Sequence, residues 1–478
     1  MDNIKNFDDI LQVTNDFLYT YLLVGLLLIV GIYFTIRTKF VQIRLLGDSI
    51  KVIAEKKSDK GGVSSFQALM VSTASRVGTG NIVGVASAIA IGGAGAVFWM
   101  WTIAIIGSAS AFIESTLAQI YKTKDGDGFK GGPAYYIEKA LKARWLGIIF
   151  SILMIACFAY GFNGIQSYNI SSSLAYYFDD YYTGVLSTIF GIKISLPMIV
   201  GLIIAILTGV IIFGGVKRIG FITSGLVPVM AVLYILLGIF ITIKNITSLP
   251  QVFSNIFSQA FDFKAIFGGF SGSCVMYGIK RGLFSNEAGM GSAPNAAATA
   301  EVSHPVKQGL VQMFSVFIDT LFICTTTAMI LLCSGVTGGQ DLQGVDFVQA
   351  AVRESLGEFG IHFITISMLL FAFSSLIGNY YYTEANINFI TKSKLALNLF
   401  RISCLVMIFF GTQLSFNTVW NLADVLMGLM AIINIIVIVI LGNIAIKALK
   451  NYTEQKQQGK DPVFKAKDIE LDNTEFWK

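Results

Sequence analysis

Residues 74–88 read ASRVGTGNIVGVASA and sit inside an apolar stretch long enough to cross a bilayer. Gly78, Gly80 and Gly84 fall within seven residues, beside Arg76, Thr79 and Asn81, polar groups that lipid penalises. Glycine weakens a helix by about 1 kcal/mol per residue relative to alanine, so the pattern predicts a helix break. A break frees amide N–H groups at the start of one half-helix and carbonyls at the end of the other. The N–H groups and the positive end of the helix dipole suit a carboxylate. The carbonyls suit a small cation, and an amino-acid zwitterion with sodium matches this inventory. A second cluster, GGFSGS at 268–273, carries the same residue types and predicts a second break. Unwound backbone survives at membrane depth only where protein or an aqueous cavity satisfies it.

The elements that must position these breaks are membrane helices. Hydrophobic residues make up 54% of the 478 and charged residues 13%, about half the charge of a soluble chain. Mean hydropathy is +0.69. The chain reads as an all-α polytopic membrane protein with eleven spans: 17–36, 66–91, 95–120, 146–175, 197–214, 219–243, 265–283, 308–334, 361–383, 395–412 and 417–446. Lys and Arg stay cytoplasmic. Arg37, Lys39, Arg44, Lys51, Lys56, Lys57 and Lys60 follow span 1, so the N-terminus is expected outside and the C-terminus inside. Residues 40–57 suit a helix lying on the cytoplasmic surface, 341–358 a short external helix, and the tail from 451 a mobile polar segment.

The two predicted breaks lie in spans 2 and 7, five apart. An odd offset inverts the second group of five, so spans 2–6 and 7–11 form two inverted repeats with span 1 as an extra. Gly-interrupted segments at matching places in two repeats mark a transporter's substrate site. The expected units are 1–62, 63–260, 261–450 and 451–478.

Other readings fare worse. GTGNIVG lacks the third glycine of a dinucleotide fingerprint at Val83. A membrane enzyme needs ligand or nucleophile clusters, and the two histidines, His304 and His362, are far apart in the sequence. The five cysteines have no disulfide or zinc spacing and read as small buried hydrophobes. Gly84, Ala86, Gly92 and Gly93 read as helix-packing residues. Glu114, Asp319 and Asp424 read as structural partners, gates or a proton site. A channel can also use broken helices, but two unlike breaks around one site do not make a ring of identical loops. The spread of basic residues excludes a nucleic-acid partner.

The chain resembles the alanine or glycine:cation symporter family (sodium:alanine symporters) over nearly its whole length. RVGTGNIVGVA (76–86), GGPAYYIEKAL (131–141), RGLFSNEAGMGSAPNAAATAE (281–301), HPVKQG (304–309) and FAFSSLIGNYYYTEAN (371–386) carry the resemblance. It implies the leucine-transporter fold, a 5+5 inverted repeat. It also implies that the backbone of Thr79 and Gly80 holds a substrate carboxylate, with Asn81 beside it and Gln166 within reach. Sodium would lie among the carbonyls of Ala74, Val77 and Phe371 and the hydroxyls of Ser374 and Ser375. Phe270, Ser271 and Gly272 would line the second break, and Ser375 and Asn379 the pocket. Asn286 and Glu287 would latch an inner gate at the cytoplasmic end of span 7. Arg76 would pair with a carboxylate such as Glu287 or line the inner vestibule.

One position departs from the family. After the glycine of span 9 the family usually has Trp, and here stands Asn379. An amide for a bulky ring implies a larger, more polar pocket that takes glutamine or several neutral amino acids. The expected activity is sodium-coupled import of a small neutral amino acid across the plasma membrane, in the lipid bilayer, with no cofactor beyond the co-transported ion; a monomer is expected to suffice, and the oligomeric state is not read from the sequence. The sequence leaves proton coupling open, and an amino-acid-gated channel or sensor is the alternative from another class.

Overall fold

A computed structural model describes residues 7–55, 62–126, 128–189, 192–214, 216–472 and 474–477. Lys56, Lys57 and Lys60 of the orientation argument lie outside these residues. Thirteen segments carry the description: α1 (Phe7–Arg37), α2 (Ser65–Arg76), α3 (Gly80–Gly92), α4 (Gly95–Ile120), α5 (Arg144–Tyr177), α6 (Leu196–Ile212), α7 (Val216–Lys244), α8 (Cys274–Asn286), α9 (Pro294–Ala297), α10 (Pro305–Cys333), α11 (Glu358–Ile390), α12 (Lys394–Gly411) and α13 (Phe416–Gln457). Among the described residues eight helices are long and apolar enough to cross a membrane, or nine counting the bent pair α2–α3 as one span. Predicted spans 5 and 7 correspond to the shorter α6 and α8. Two short hairpins, 123–130 and 187–194, interrupt the helical pattern in loops.

Local chemistry explains the elements that matter. Ser64 starts α2 with a capping box: its hydroxyl accepts from Gln67 N–H and the Gln67 side chain accepts from Ser64 N–H, worth about 1 kcal/mol. The helix stops at Val77, whose ψ of 87° leaves the helical region, and the chain turns 53° into α3. Gly80–Gly84 then winds as a π-helix, as do Ala156–Phe162 in α5 and Phe317–Cys324 in α10, and such stretches gather at functional sites.

Small residues let the helices approach closely. A Cβ on Gly378 of α11 would lie 2.6 Å from Ser75 N, so α2 and α11 cross backbone to backbone. Gly309 of α10 meets α4 the same way, 2.9 Å from Phe112 O.

Several expectations are confirmed and three are corrected. Leu46–Ala54 is a helix, and Gly344–Leu356 is the short helix expected after α10. The second break is not at 268–273. Phe270–Gly272 forms one short turn next to Ser273, which caps the start of α8 by accepting from Met276 N–H. That cluster separates the short helix Phe263–Gly268 from α8, away from the first break. The interruption comes at 287–293, between α8 and α9, where Glu287, Gly289 and Gly291 have φ of 56°, 82° and 90°. The Asn286–Glu287 pair is therefore at a helix break and not at a span end. The tail is also not free: α13 continues to Gln457, and Phe464, Ala466, Ile469 and Trp477 beyond it are buried.

Candidate functional site

The two breaks meet. A Cβ on Gly80 would sit 2.7 Å from the Phe284 ring, Asn81 Nδ2 donates to Ser285 Oγ at 2.9 Å, and Ser75 Oγ donates to Glu287 Oε1 at 3.1 Å. Every residue in these contacts is buried. The arrangement follows from the bend: with α2 and α3 at 53°, the α8 terminus reaches into the angle between them.

At the first break, Gly78 N–H donates to Asn81 Oδ1 at 2.9 Å and Thr79 N–H to Gln166 Oε1 at 3.2 Å. Gln166 reaches there from the face of α5 that also presents Asn169. Both amide atoms of Asn169, the Thr79 hydroxyl and Trp420 Nε1 are buried without a hydrogen-bond partner in the protein. Buried polar atoms are nearly always paired, so these groups are open to a further polar partner. Gly78 must be glycine, since a Cβ would come within 2.2 Å of Ser375 Oγ.

Beside Gly78, the hydroxyl of Ser375 draws two carbonyls at the end of α2 toward α11. Ser375 Oγ lies 3.0 Å from Ala74 O and 3.4 Å from Val77 O, and Ser374 Oγ lies 2.9 Å from Phe371 O. All five residues are buried. Carbonyls at the end of an unwound half-helix facing a hydroxyl are donors for a small alkali cation. Of the predicted sodium residues, Ala74, Val77 and Ser375 are brought together, while Ser374 bonds back to Phe371 within α11.

The second break differs in kind. Glu114 of α4 places its carboxylate on the loop, accepting from Gly289 N–H at 3.3 Å, Gly291 N–H at 3.1 Å and Asn434 Nδ2 at 2.7 Å. Asn286 Oδ1 accepts from Ala288 N–H at 3.0 Å, and Glu287 Oε2 accepts from Ser292 Oγ at 2.5 Å. Arg76 Nε stands 3.8 Å from Glu287 Oε2, and Arg76 also donates to Ser315. Internal side chains therefore hold amides at both breaks: a carboxylate at the second, and the neutral amides of Asn81 and Gln166 at the first.

Other predicted residues fall elsewhere. Phe270 is half-buried and Gly272 exposed, beside Cys274, whose Cα would be 3.2 Å from a Cβ on Gly92; Ser271 lies in the same turn. The three are at the far end of α3 and do not join the first break. Asn379 is fully buried and already engaged: its Oδ1 accepts from Ser75 Oγ at 2.8 Å and its Nδ2 donates to Asn163 Oδ1 at 3.0 Å.

Sequence reasoning named Asp319 and Asp424 without their partners, and missed Lys280 and Arg281. Asp319, in the π-helical part of α10, accepts from Asn81 Nδ2 at 2.6 Å, Ser285 Oγ at 2.7 Å and Thr320 Oγ1 at 2.9 Å, joining both broken segments. Arg281 binds Asp424 through two nitrogens at 3.0 and 2.9 Å, with its guanidinium 4.3 Å from the centre of the Trp420 ring, and Lys280 joins at 3.1 Å. The signal was two adjacent cations in an apolar run with one intramembrane Asp elsewhere; such charges are stable only when paired.

Two mid-helix interruptions meeting in a buried polar centre, within a bundle of membrane helices, define a secondary transporter of the leucine-transporter fold. The crystal structure of MhsT in complex with L-phenylalanine superimposes with a TM-score of 0.57 at 17% identity, covering 82% of this chain and 96% of that one, which establishes the fold. The chain belongs to the sodium:alanine symporter family, whose model matches residues 4–466. It is 49% identical over 475 residues to the amino-acid carrier protein AlsT of Bacillus subtilis (strain 168), covering 98% of each chain. It is 50% identical over 459 residues to the probable sodium/glutamine symporter GlnT of the same organism, covering 96% of this chain and 93% of that one. It is a multi-pass membrane transporter and not an enzyme.

Proposed function

We propose that this protein imports a neutral amino acid together with sodium by alternating access. The observation that carries the reading is the first break. Thr79, with an unpaired buried hydroxyl, stands at the break, and the hydroxyl of Ser375 reaches the carbonyls of Ala74 and Val77; Ser374 and Phe371, the remaining two of the five expected oxygens, pair with each other on the same helix as Ser375. The amino-acid carboxylate sits at Thr79 and Gly80, with Gln166 and Asn81 fixing the loop. Sodium sits among the five oxygens. Each ligand orders the same unwound segment, so binding one lowers the ordering cost of the other. Because Glu114 fills the second break, the cargo carboxylate has one place to go. The Arg76–Glu287 pair, between the two breaks, is a gating contact.

The halves 63–260 and 261–450 are the inverted repeats, and the N-terminus is outside. A potential of 100 mV is worth about 2.3 kcal/mol per charge, so one sodium with a zwitterion supports roughly 50-fold accumulation before the sodium gradient is counted. Alanine and glutamine are the substrates we favour. A relative 50% identical carries the name of a probable sodium/glutamine symporter, and another relative is named a sodium/alanine symporter. The test is counterflow in proteoliposomes with a panel of neutral amino acids, with and without sodium. Sodium-dependent exchange of alanine or glutamine is expected; exchange that ignores sodium refutes the coupling.

A further inference from the structure

The segment after α13 folds back across one end of the bundle, and its contacts concentrate on a single seam. Val63, just before the cap of α2, pairs with the chain after α9: Val63 N–H donates to Thr299 O at 3.2 Å and Glu301 N–H to Val63 O at 2.9 Å. The basic-end halves of both broken spans are joined there. Gln119 Nε2 binds the carbonyls of Ala297 and Ala300 at 2.5 and 2.9 Å, and Lys122 Nζ binds Ala300 O at 3.0 Å.

The tail clamps these same groups. Trp477 Nε1 donates to Gln119 O at 2.8 Å, and Phe129, Phe476 and Trp477 surround Lys122 Nζ at 4.1, 4.5 and 5.0 Å from their ring centres. Phe464 N–H donates to Ser303 O at 3.0 Å and Ser303 Oγ to Pro462 O at 2.9 Å. Ala466 N–H donates to Trp477 O at 2.9 Å and closes the tail into a loop. Exposed carboxylates finish the attachment: Asp461 with Lys307 at 3.0 Å and Glu475 with Lys139 at 2.9 Å.

We propose that residues 460–477 form a strap that holds the bundle closed at this end and sets how readily it opens. Cargo leaving at the basic end requires α2 to part from the segment after α9, and the strap ties the neighbours of that seam together. The carboxylates of its ion pairs are solvent-exposed, although Lys307 is buried, so salt on that face screens them and tunes the hold. The aromatic anchors carry the rest.

The proposal rests on the alternating-access reading, and one experiment separates the two. Hydrogen exchange of the full-length protein in nanodiscs is measured for wild type, Trp477→Ala and the double variant Asp461→Asn/Glu475→Gln. Exchange in peptides covering 62–76 and 294–301 is expected to rise about tenfold in Trp477→Ala, the loss of one buried aromatic anchor. In the double variant it rises about threefold, the loss of two ion pairs whose carboxylates are exposed. Raised salt should act on wild type in the same direction. Faster exchange confined to 458–477 overturns the strap. The double variant removes only exposed groups, so it decides the matter if Trp477→Ala does not fold. Binding of labelled alanine and glutamine with sodium, followed on the same samples, tests the function separately: absent binding in wild type refutes that reading, whereas intact binding with unchanged exchange refutes the strap alone.

Discussion

Ser375→Ala is the sharpest test of the cation site. Its hydroxyl is 3.0 Å from Ala74 O and 3.4 Å from Val77 O, and both carbonyls are buried at the end of α2. The substitution removes one of five oxygens from the site. A polar contact to a charged group contributes about 1.5–3 kcal/mol, so the sodium concentration for half-maximal uptake should rise about 10- to 100-fold, at about 1.4 kcal/mol per decade. The amino-acid affinity at saturating sodium should change far less, because Thr79, Gly80 and Gln166 are untouched. Uptake of labelled alanine in proteoliposomes across a sodium series measures both. Thermal unfolding with and without sodium gives an independent reading, since an ion that binds only the folded state raises the midpoint. Losing two carbonyl partners lowers the midpoint of the variant without sodium, but only a lost ion site shrinks the sodium-induced rise. An unchanged sodium dependence by both measures would show that the five oxygens hold no ion.

Gly78→Ala puts a methyl group 2.2 Å from Ser375 Oγ, and overpacking of about 1–3 kcal/mol at this joint should abolish uptake while leaving folded protein detectable by gel filtration. Asn379→Trp should lower glutamine uptake relative to alanine in competition assays; an unchanged ratio removes Asn379 from the account of specificity. His304 caps the start of α10, accepting from Val306 N–H through Nδ1 at 3.2 Å, with Nε2 3.2 Å from Asn451 Oδ1. Burial pushes this ring down to about 3. The unfolded chain takes up the proton near pH 6.5, so stability is full above that pH and falls toward pH 3, by up to about 1.4 kcal/mol per unit. The thermal midpoint of His304→Gln should lack this part of the acid slope.

The bundle and the first break were legible because their causes are local. Apolar runs of membrane length announce helices, and Gly78-Thr79-Gly80-Asn81 announces its own interruption, since two glycines and an amide weaken one turn. The second break was not legible at 287–293 because glycine has two uses that composition does not distinguish. At 268–273 it precedes a Ser cap, whereas at Gly289 and Gly291 it supplies positive φ in a loop held by Glu114, which is distant in sequence. The pairing of Lys280 and Arg281, inside predicted span 7, was not legible for the same reason: their partner Asp424 lies in another helix. The tail looked polar, and its scattered apolar residues, Phe464, Ile469, Phe476 and Trp477 among them, show no helical or strand period that would announce docking.

The crossing at Gly378 has a mechanical consequence. Where α11 meets α2 there is no side chain on Gly378 to unthread from a neighbour, so the two bodies can separate there without any rotamer having to jump. Resistance to parting then comes from whatever bridges the seam, and Ser375, one turn earlier on α11, is such a bridge. A loaded ion would act as a removable rivet in an otherwise smooth hinge face, and its departure would lower the barrier to motion more than any loss of packing.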